Sequence, residues 1–166
     1  MIKRELYMSR IRPFVGNELI KVLTGIRRSG KSVMLELIKE ELIASGISKD
    51  SFISINFENM SYVHLCTAKA LHDEILKKAA DIEGKVYLFF DEIQEVTDWE
   101  KCINSFRVEL DCDIYITGSN AKLLSGELAT YLGGRYVEFV IYPFSFGEFC
   151  DLYSAVDPEA SPAQCF

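Results

Sequence analysis

Eight residues, Gly25-Ile26-Arg27-Arg28-Ser29-Gly30-Lys31-Ser32, match the pattern G-x-x-x-x-G-K-[ST] at every fixed position. Each residue type has a use if the phosphates of a nucleoside triphosphate sit there. Gly25 and Gly30 permit backbone angles closed to other residues, so successive N–H groups can turn inward on phosphate oxygens. Lys31 would bring an ammonium to the β- and γ-phosphates, and Ser32 a hydroxyl to Mg²⁺. Ile26, Arg27, Arg28, Ser29 and Val33 complete the cradle with loop and helix-start residues. Arg27 and Arg28 either add charge near phosphate or face solvent.

Sixty positions after Lys31, the apolar run Val86-Tyr87-Leu88-Phe89-Phe90 ends in Asp91-Glu92. Acids at the end of a buried strand are costly unless they hold something, here Mg²⁺ and its waters. Asp91 would position the metal with Ser32. Glu92 would accept a proton from a water attacking the γ-phosphate. Without the glycine-rich loop, the same pair would read as acids capping the next turn. The adjacent acids favour hydrolysis over a kinase, whose substrate hydroxyl needs no water-activating glutamate. GTP is disfavoured because no N-K-x-D motif is present. A transporter-type ATPase is disfavoured because Leu124-Ser125-Gly126-Glu127 follows Asp91 instead of preceding it.

Strands and helices in alternation must hold these residues. Leu19–Thr24 reads as a strand before the loop, and Val33–Ala44 as an amphipathic helix after it, stopped by Gly46. Phe52–Phe57 reads as a second strand. A helix carrying Leu71, Ile75 and Leu76 follows. Val86–Phe90 is a third strand, apolar throughout as a strand covered on both faces should be. Thr97 with Glu100 predicts a capping box for a helix through Leu110. Asp113–Thr117 is a fourth strand, Leu123, Leu124, Leu128 and Leu132 mark a helix ended by Gly133-Gly134, and Tyr136–Ile141 is a fifth strand. Ser145 and Glu148 predict a second capping box. Repeated βα units imply an α/β fold with a parallel sheet and helices on both faces, its ligand at the carboxyl ends of the strands.

The chain has 166 residues, 49% of them apolar, and a net charge of −7. This predicts one globular domain and disfavours a broad nucleic-acid-binding face. Cys66, Cys102, Cys112, Cys150 and Cys165 form no C-x-x-C pair and read as small apolar side chains in a reducing compartment. His64 and His72 lack metal-spaced partners, and Trp99 reads as a packing anchor. No signal peptide or membrane-length apolar run is visible, so the cytoplasm is the expected location. Arg4, Arg10 and Arg12, around Tyr7 and Phe14, read as a solvated basic helix, with an adenine pocket or a nucleic-acid contact as alternatives.

The sequence resembles the AAA+ superfamily of P-loop ATPases, with Gly25–Ser32 as Walker A and Val86–Glu92 as Walker B. Thr24–Ser32, Asp91-Glu92-Ile93-Gln94, Thr117–Gly126 and Tyr142–Phe149 are similar to one bacterial and archaeal branch. In that branch the core is usually followed by a domain of unassigned function. The resemblance covers roughly residues 1 to 150 and implies a P-loop NTPase fold, a three-layer α/β/α sandwich around a five-stranded parallel sheet of order 5-1-4-3-2. It divides the chain into a leader (1–18), an ATPase core (19–150) and a frayed or truncated tail (151–166), with the helical lid absent. It also implies Asn120, or Ser119, as the sensor that orients the attacking water. Arg135 becomes a candidate arginine finger for a neighbouring subunit of a homo-oligomer, and Asn59 a side chain that holds Glu92 idle. Mg²⁺-dependent ATP hydrolysis coupled to a partner domain is the expected activity. A nucleotide-binding regulatory module with little turnover is the alternative. DNA and protein clients both remain open.

Overall fold

The computed structural model describes residues 3–119, 130 and 132–150. Runs of β-branched and aromatic residues suit a pleated, buried surface, and five of them form strands: β1 (Ile20–Gly25), β2 (Phe52–Asn56), β3 (Val86–Asp91), β4 (Cys112–Ser119) and β5 (Tyr136–Val140). Every neighbouring pair is parallel, in the order β2-β3-β4-β1-β5. Read from the other edge, this is the 5-1-4-3-2 order that the family resemblance implies. The register serves the chemistry. Gly25 lies level with Ser119, and Asn56 with Asp91, so the carboxyl ends of four strands meet at one rim.

Among the described residues, four α-helices cover the sheet: α1 (Glu5–Ile11), α2 (Lys31–Ala44), α3 (Ala68–Ala79) and α4 (Trp99–Glu109). Successive side chains of a strand point to opposite faces, which separates the core into two layers. Leu71 and Ile75 of α3, with Trp99, Ile103 and Phe106 of α4, pack on Val22, Leu88, Phe90 and Ile116. Tyr7, Met8 and Ile11 of α1, with Met34 and Ile38 of α2, pack on Leu23, Phe89, Tyr115 and Phe139. The basic leader therefore differs from a solvated helix, because α1 buries one apolar face beside α2. The helix expected at Leu123–Leu132 lies outside the described residues except for its end, where Leu132 is fully buried.

Element ends follow local chemistry. Gly46, with φ +98°, completes a Schellman turn in which the amides of Gly46 and Ile47 bond the carbonyls of Ile43 and Leu42. The Ser145–Glu148 capping box forms in both directions, at 2.8 and 3.2 Å. The Thr97–Glu100 box does not form. Thr97 is committed to a bridge with Thr67, its amide on the Cys66 carbonyl and its carbonyl on the Ala68 amide. The helix consequently starts one residue later, from Asp98 in a left-handed conformation.

The rim opposite the glycine-rich loop holds a buried charged network. Lys21 Nζ lies 2.5 Å from Asp113 Oδ1, and both side chains are fully buried. Asp113 also accepts from the Tyr115 hydroxyl and the Gly16 amide, and Lys21 donates to the Asn17 carbonyl. Burial pulls the Lys21 ammonium below its ordinary pKa against the opposing effect of Asp113. Burial and the Asp113 carboxylate raise the Tyr115 phenol. Removing one partner strands a buried charge. Asp113→Ala should cost about 3–5 kcal/mol in denaturant unfolding, and replacing both Lys21 and Asp113 with leucine should recover most of the loss.

Candidate active site

The loop between β1 and α2 is shaped by three positive-φ residues, Gly25 (+152°), Arg28 (+65°) and Gly30 (+94°). A Cβ at Gly25 would lie 2.2 Å from the Ile141 carbonyl oxygen and 2.7 Å from Ser29 Oγ, so only glycine fits. Gly30 caps α2, and the helix begins at Lys31, two residues before the expected Val33. Its unsatisfied first-turn amides and positive dipole end therefore open directly on the loop. Ile26, Arg27 and Arg28 form the exposed outer side, where Arg27 faces Glu58 at 3.9 Å. The solvent-facing alternative for the two arginines is the observed one.

Lys31 turns inward. Its side chain is 4% exposed, and its ammonium donates to the Ile26 carbonyl at 3.3 Å and lies 3.5 Å from Glu92 Oε1. A cation folded back into its own loop, beside a lone carboxylate, suits a site built to receive a polyanion. Ser29 Oγ is buried there without a hydrogen-bond partner.

The two acids occupy the neighbouring strand end. Asp91 closes β3 and accepts from the Thr117 hydroxyl at 2.5 Å. The same hydroxyl accepts from the Glu92 amide at 2.9 Å, so one β4 side chain fixes both acids. Glu92 adopts a left-handed conformation (φ 55°), uncommon for a side chain of this kind and a form of strain that clusters at functional sites. Its Oε2 accepts from Gln94 Nε2, while Gln94 Oε1 is buried and unpartnered. Ser32, Asn56 and Asp91 line a common cleft. Among the described residues no three His, Cys, Asp or Glu side chains are placed to enclose a metal. A cation between Ser32 and Asp91 would lean on phosphate and water, which is how Mg²⁺ is usually held.

The other expected positions separate. Ser119 ends β4 beside Gly25, whereas Asn120 lies outside the described residues. Asn59 does not hold Glu92: its exposed side chain accepts from the Ser61 amide and caps a 3-10 turn at Met60–Leu65. Gln94 is the amide in contact with the acid. Arg135 is exposed, and its carbonyl accepts from the Ile20 amide at the start of β1, on the opposite rim from the loop. It cannot serve the phosphate site of its own chain. His72 stacks on Phe106 and bonds Glu109. Burial pushes the Cys102 and Cys112 thiols up to about 12 and about 11, which leaves them protonated and unreactive. No described helix is long and apolar enough to cross a membrane.

Three residues of the site carry no local signal of their roles. Gln94 and Thr117 stand in the sequence only as members of matching strings, and nothing separates Arg4 from a solvated basic leader. Arg4 is 3% exposed and stands behind the loop. It bonds the Ser29 carbonyl at 2.9 Å, the Tyr142 carbonyl at 2.7 Å and Glu148 Oε1 at 3.0 Å. Burial raises the Glu148 carboxyl, but the bonds from Arg4 and Ser145 prevail and hold it below its ordinary pKa.

A family model described as an AAA domain matches residues 17–150. An uncharacterized protein of Haemophilus influenzae is 46% identical over 149 residues, which cover 90% of this chain and 37% of that protein. An uncharacterized protein of Methanocaldococcus jannaschii is 40% identical over 131 residues, covering 78% of this chain and 28% of that one. This chain thus spans about a third of the length of these relatives. Among solved structures, the Aeropyrum pernix Orc1 protein in complex with DNA superimposes with a TM-score of 0.66 at 14% identity, over 94% of this chain and 49% of that one.

Proposed function

This chain belongs to the AAA domain family, an AAA+ P-loop fold, and on that premise we propose that it binds ATP with Mg²⁺ and hydrolyses it. The observation that carries the reading is the convergence of Lys31, Glu92 and Asp91 at one rim, with Glu92 Oε1 3.5 Å from the Lys31 ammonium. In this reading the amides of the Gly25–Ser32 loop and the start of α2 bind the phosphates, and Lys31 offsets charge on the β- and γ-oxygens. Ser32 and Asp91 would hold Mg²⁺, which would supply neutralisation of the negative charge on the phosphates. Glu92 accepts the proton of the water whose oxygen attacks the γ-phosphorus, as the bond to the ADP oxygen breaks. Ser119 or Asn120 orients that water. Gln94 and Thr117 hold the base and the metal-positioning acid in place.

The cycle is proposed to drive a partner domain, with the client a DNA or a protein. ATP and GTP titration, followed by phosphate release with Mg²⁺ or with EDTA, tests the assignment. Tight ATP binding with Mg²⁺-dependent release supports it, and the absence of ATP binding overturns it. Binding without release makes the chain a regulatory nucleotide-binding module.

Because Arg135 lies on the far rim, it can act only on a neighbouring chain's nucleotide. Arg135→Ala should leave monomer turnover unchanged and lower that of an assembly on the order of 10³-fold. Slower hydrolysis by a strictly monomeric preparation excludes the finger role.

A further inference from the structure

We propose that Arg4 is a positioning residue for the phosphate cradle, and that through it the 142–148 segment controls how well the cradle binds nucleotide. The inference rests on the nucleotide-binding reading of the loop.

The first step is peptide geometry. No cis bond occurs among the described residues, so the Ser29 carbonyl and the Gly30 N–H project from opposite edges of one planar unit. Arg4 Nη1 holds that carbonyl at 2.9 Å behind the loop. The Gly30 N–H is thereby turned away from Arg4, and no acceptor takes it among the described residues. The direction of the Gly30 N–H is thus set from behind the loop by Arg4, which grips the Ser29 carbonyl 25 positions further along the chain.

The second step is what sets Arg4. Its side chain is 1% exposed, and its other two bonds go to the Tyr142 carbonyl and Glu148. The guanidinium carbon lies over the Tyr7 ring, 4.6 Å from its centroid, and over the Phe144 ring, 5.1 Å from its centroid. The Tyr7 hydroxyl accepts from the Tyr142 amide. Glu148 is in turn held by the Ser145 amide through the capping box. Planar, rigid and five-donor, an arginine can satisfy these acceptors together, and a lysine cannot. Glu148 also offsets the Arg4 charge behind the loop, so loosening the 145–148 turn changes both the aim of the peptide and the field at the phosphates. Control in one direction requires the reverse by linkage: nucleotide binding must tighten the 142–148 segment.

The test measures ATP affinity with Mg²⁺ by calorimetry and folding stability by denaturant, on the full chain, for wild type, Arg4→Met, Arg4→Lys, Glu148→Gln and Lys31→Ala. Hydrogen exchange at residues 142–148 is followed with and without ATP. Arg4→Met should lose about tenfold or more in affinity, Arg4→Lys should fall between it and wild type, and Glu148→Gln should shift affinity severalfold, the usual size of coupling between sites. ATP should slow exchange at 142–148 in wild type and not in the Arg4 variants. If Arg4→Met does not fold, Arg4→Lys and Glu148→Gln carry the decision. Unchanged affinity in the folded Arg4 and Glu148 variants overturns the inference while the nucleotide reading stands, provided wild type binds ATP and Lys31→Ala does not. Failure of wild type to bind ATP removes both.

Discussion

Lys31→Ala is expected to lower ATP affinity by at least roughly 100-fold in a calorimetric titration with Mg²⁺. Charge-assisted hydrogen bonds contribute about 1.5–3 kcal/mol each when a partner is lost, and in the proposed site the ammonium serves two phosphates. About 1.4 kcal/mol corresponds to tenfold in affinity. The location raises the cost. The side chain is 4% exposed and its nitrogen is 3.5 Å from Glu92 Oε1, so in the proposed site the alanine variant leaves Glu92 facing a polyanion without its neighbouring cation. Lys31→Arg should rescue little, because a planar guanidinium replaces a compact point charge in a slot already closed by the Ile26 carbonyl. The variant should keep its fold, since its backbone is the first residue of α2 and alanine favours a helix. Unchanged ATP affinity in a folded Lys31→Ala protein would sink the assignment.

The parts of this site that could be read from the chain are those encoded locally. The two loop glycines announce a backbone that admits no side chain, and at Gly25 the clash with Ile141 bears this out. The apolar run Val86–Phe90 announces a strand covered on both faces, and every residue of it is buried. Strand order is different in kind. Parallel units can be wound in several ways, and only the family resemblance supplied 5-1-4-3-2. Arg4 shows why the rest was hidden. Its three acceptors lie 25, 138 and 144 positions away, and nothing near it in sequence distinguishes a buried guanidinium from a surface one. Thr117 was concealed similarly, since a threonine in a strand fits the sheet for its branching alone, and its hydroxyl gains a role only when Asp91 arrives beside it. The cap at Thr97 misled in the opposite direction: a valid local signal lost to a bridge with Thr67.

Glu92→Gln is the second large effect, and it separates binding from chemistry. The substitution preserves shape, and the backbone at this position is fixed by the Glu92 amide on Thr117 and the Glu95 amide on the Glu92 carbonyl. ATP affinity should therefore stay within about threefold. Any change within that range should be a rise, because one negative charge beside the proposed γ-phosphate position is removed. Phosphate release should fall about 10²–10⁴-fold, the usual contribution of a positioned general base. The alternative is that Glu92 only holds Lys31 in place through their 3.5 Å contact. In that case the glutamine would lower affinity and leave the turnover of saturated protein unchanged. Steady-state release at saturating ATP, beside the titration, distinguishes the two. Loss of turnover with retained binding identifies Glu92 as the base; equal turnover in mutant and wild type removes it from that role. Gln94 makes the comparison sharper. Its amide nitrogen donates to Glu92 Oε2 and its own oxygen has no partner, so a flipped Gln94 amide can accept from the introduced NH2 while the introduced oxygen keeps facing Lys31. The geometry around position 92 then survives the substitution, and the lost rate reports on the proton.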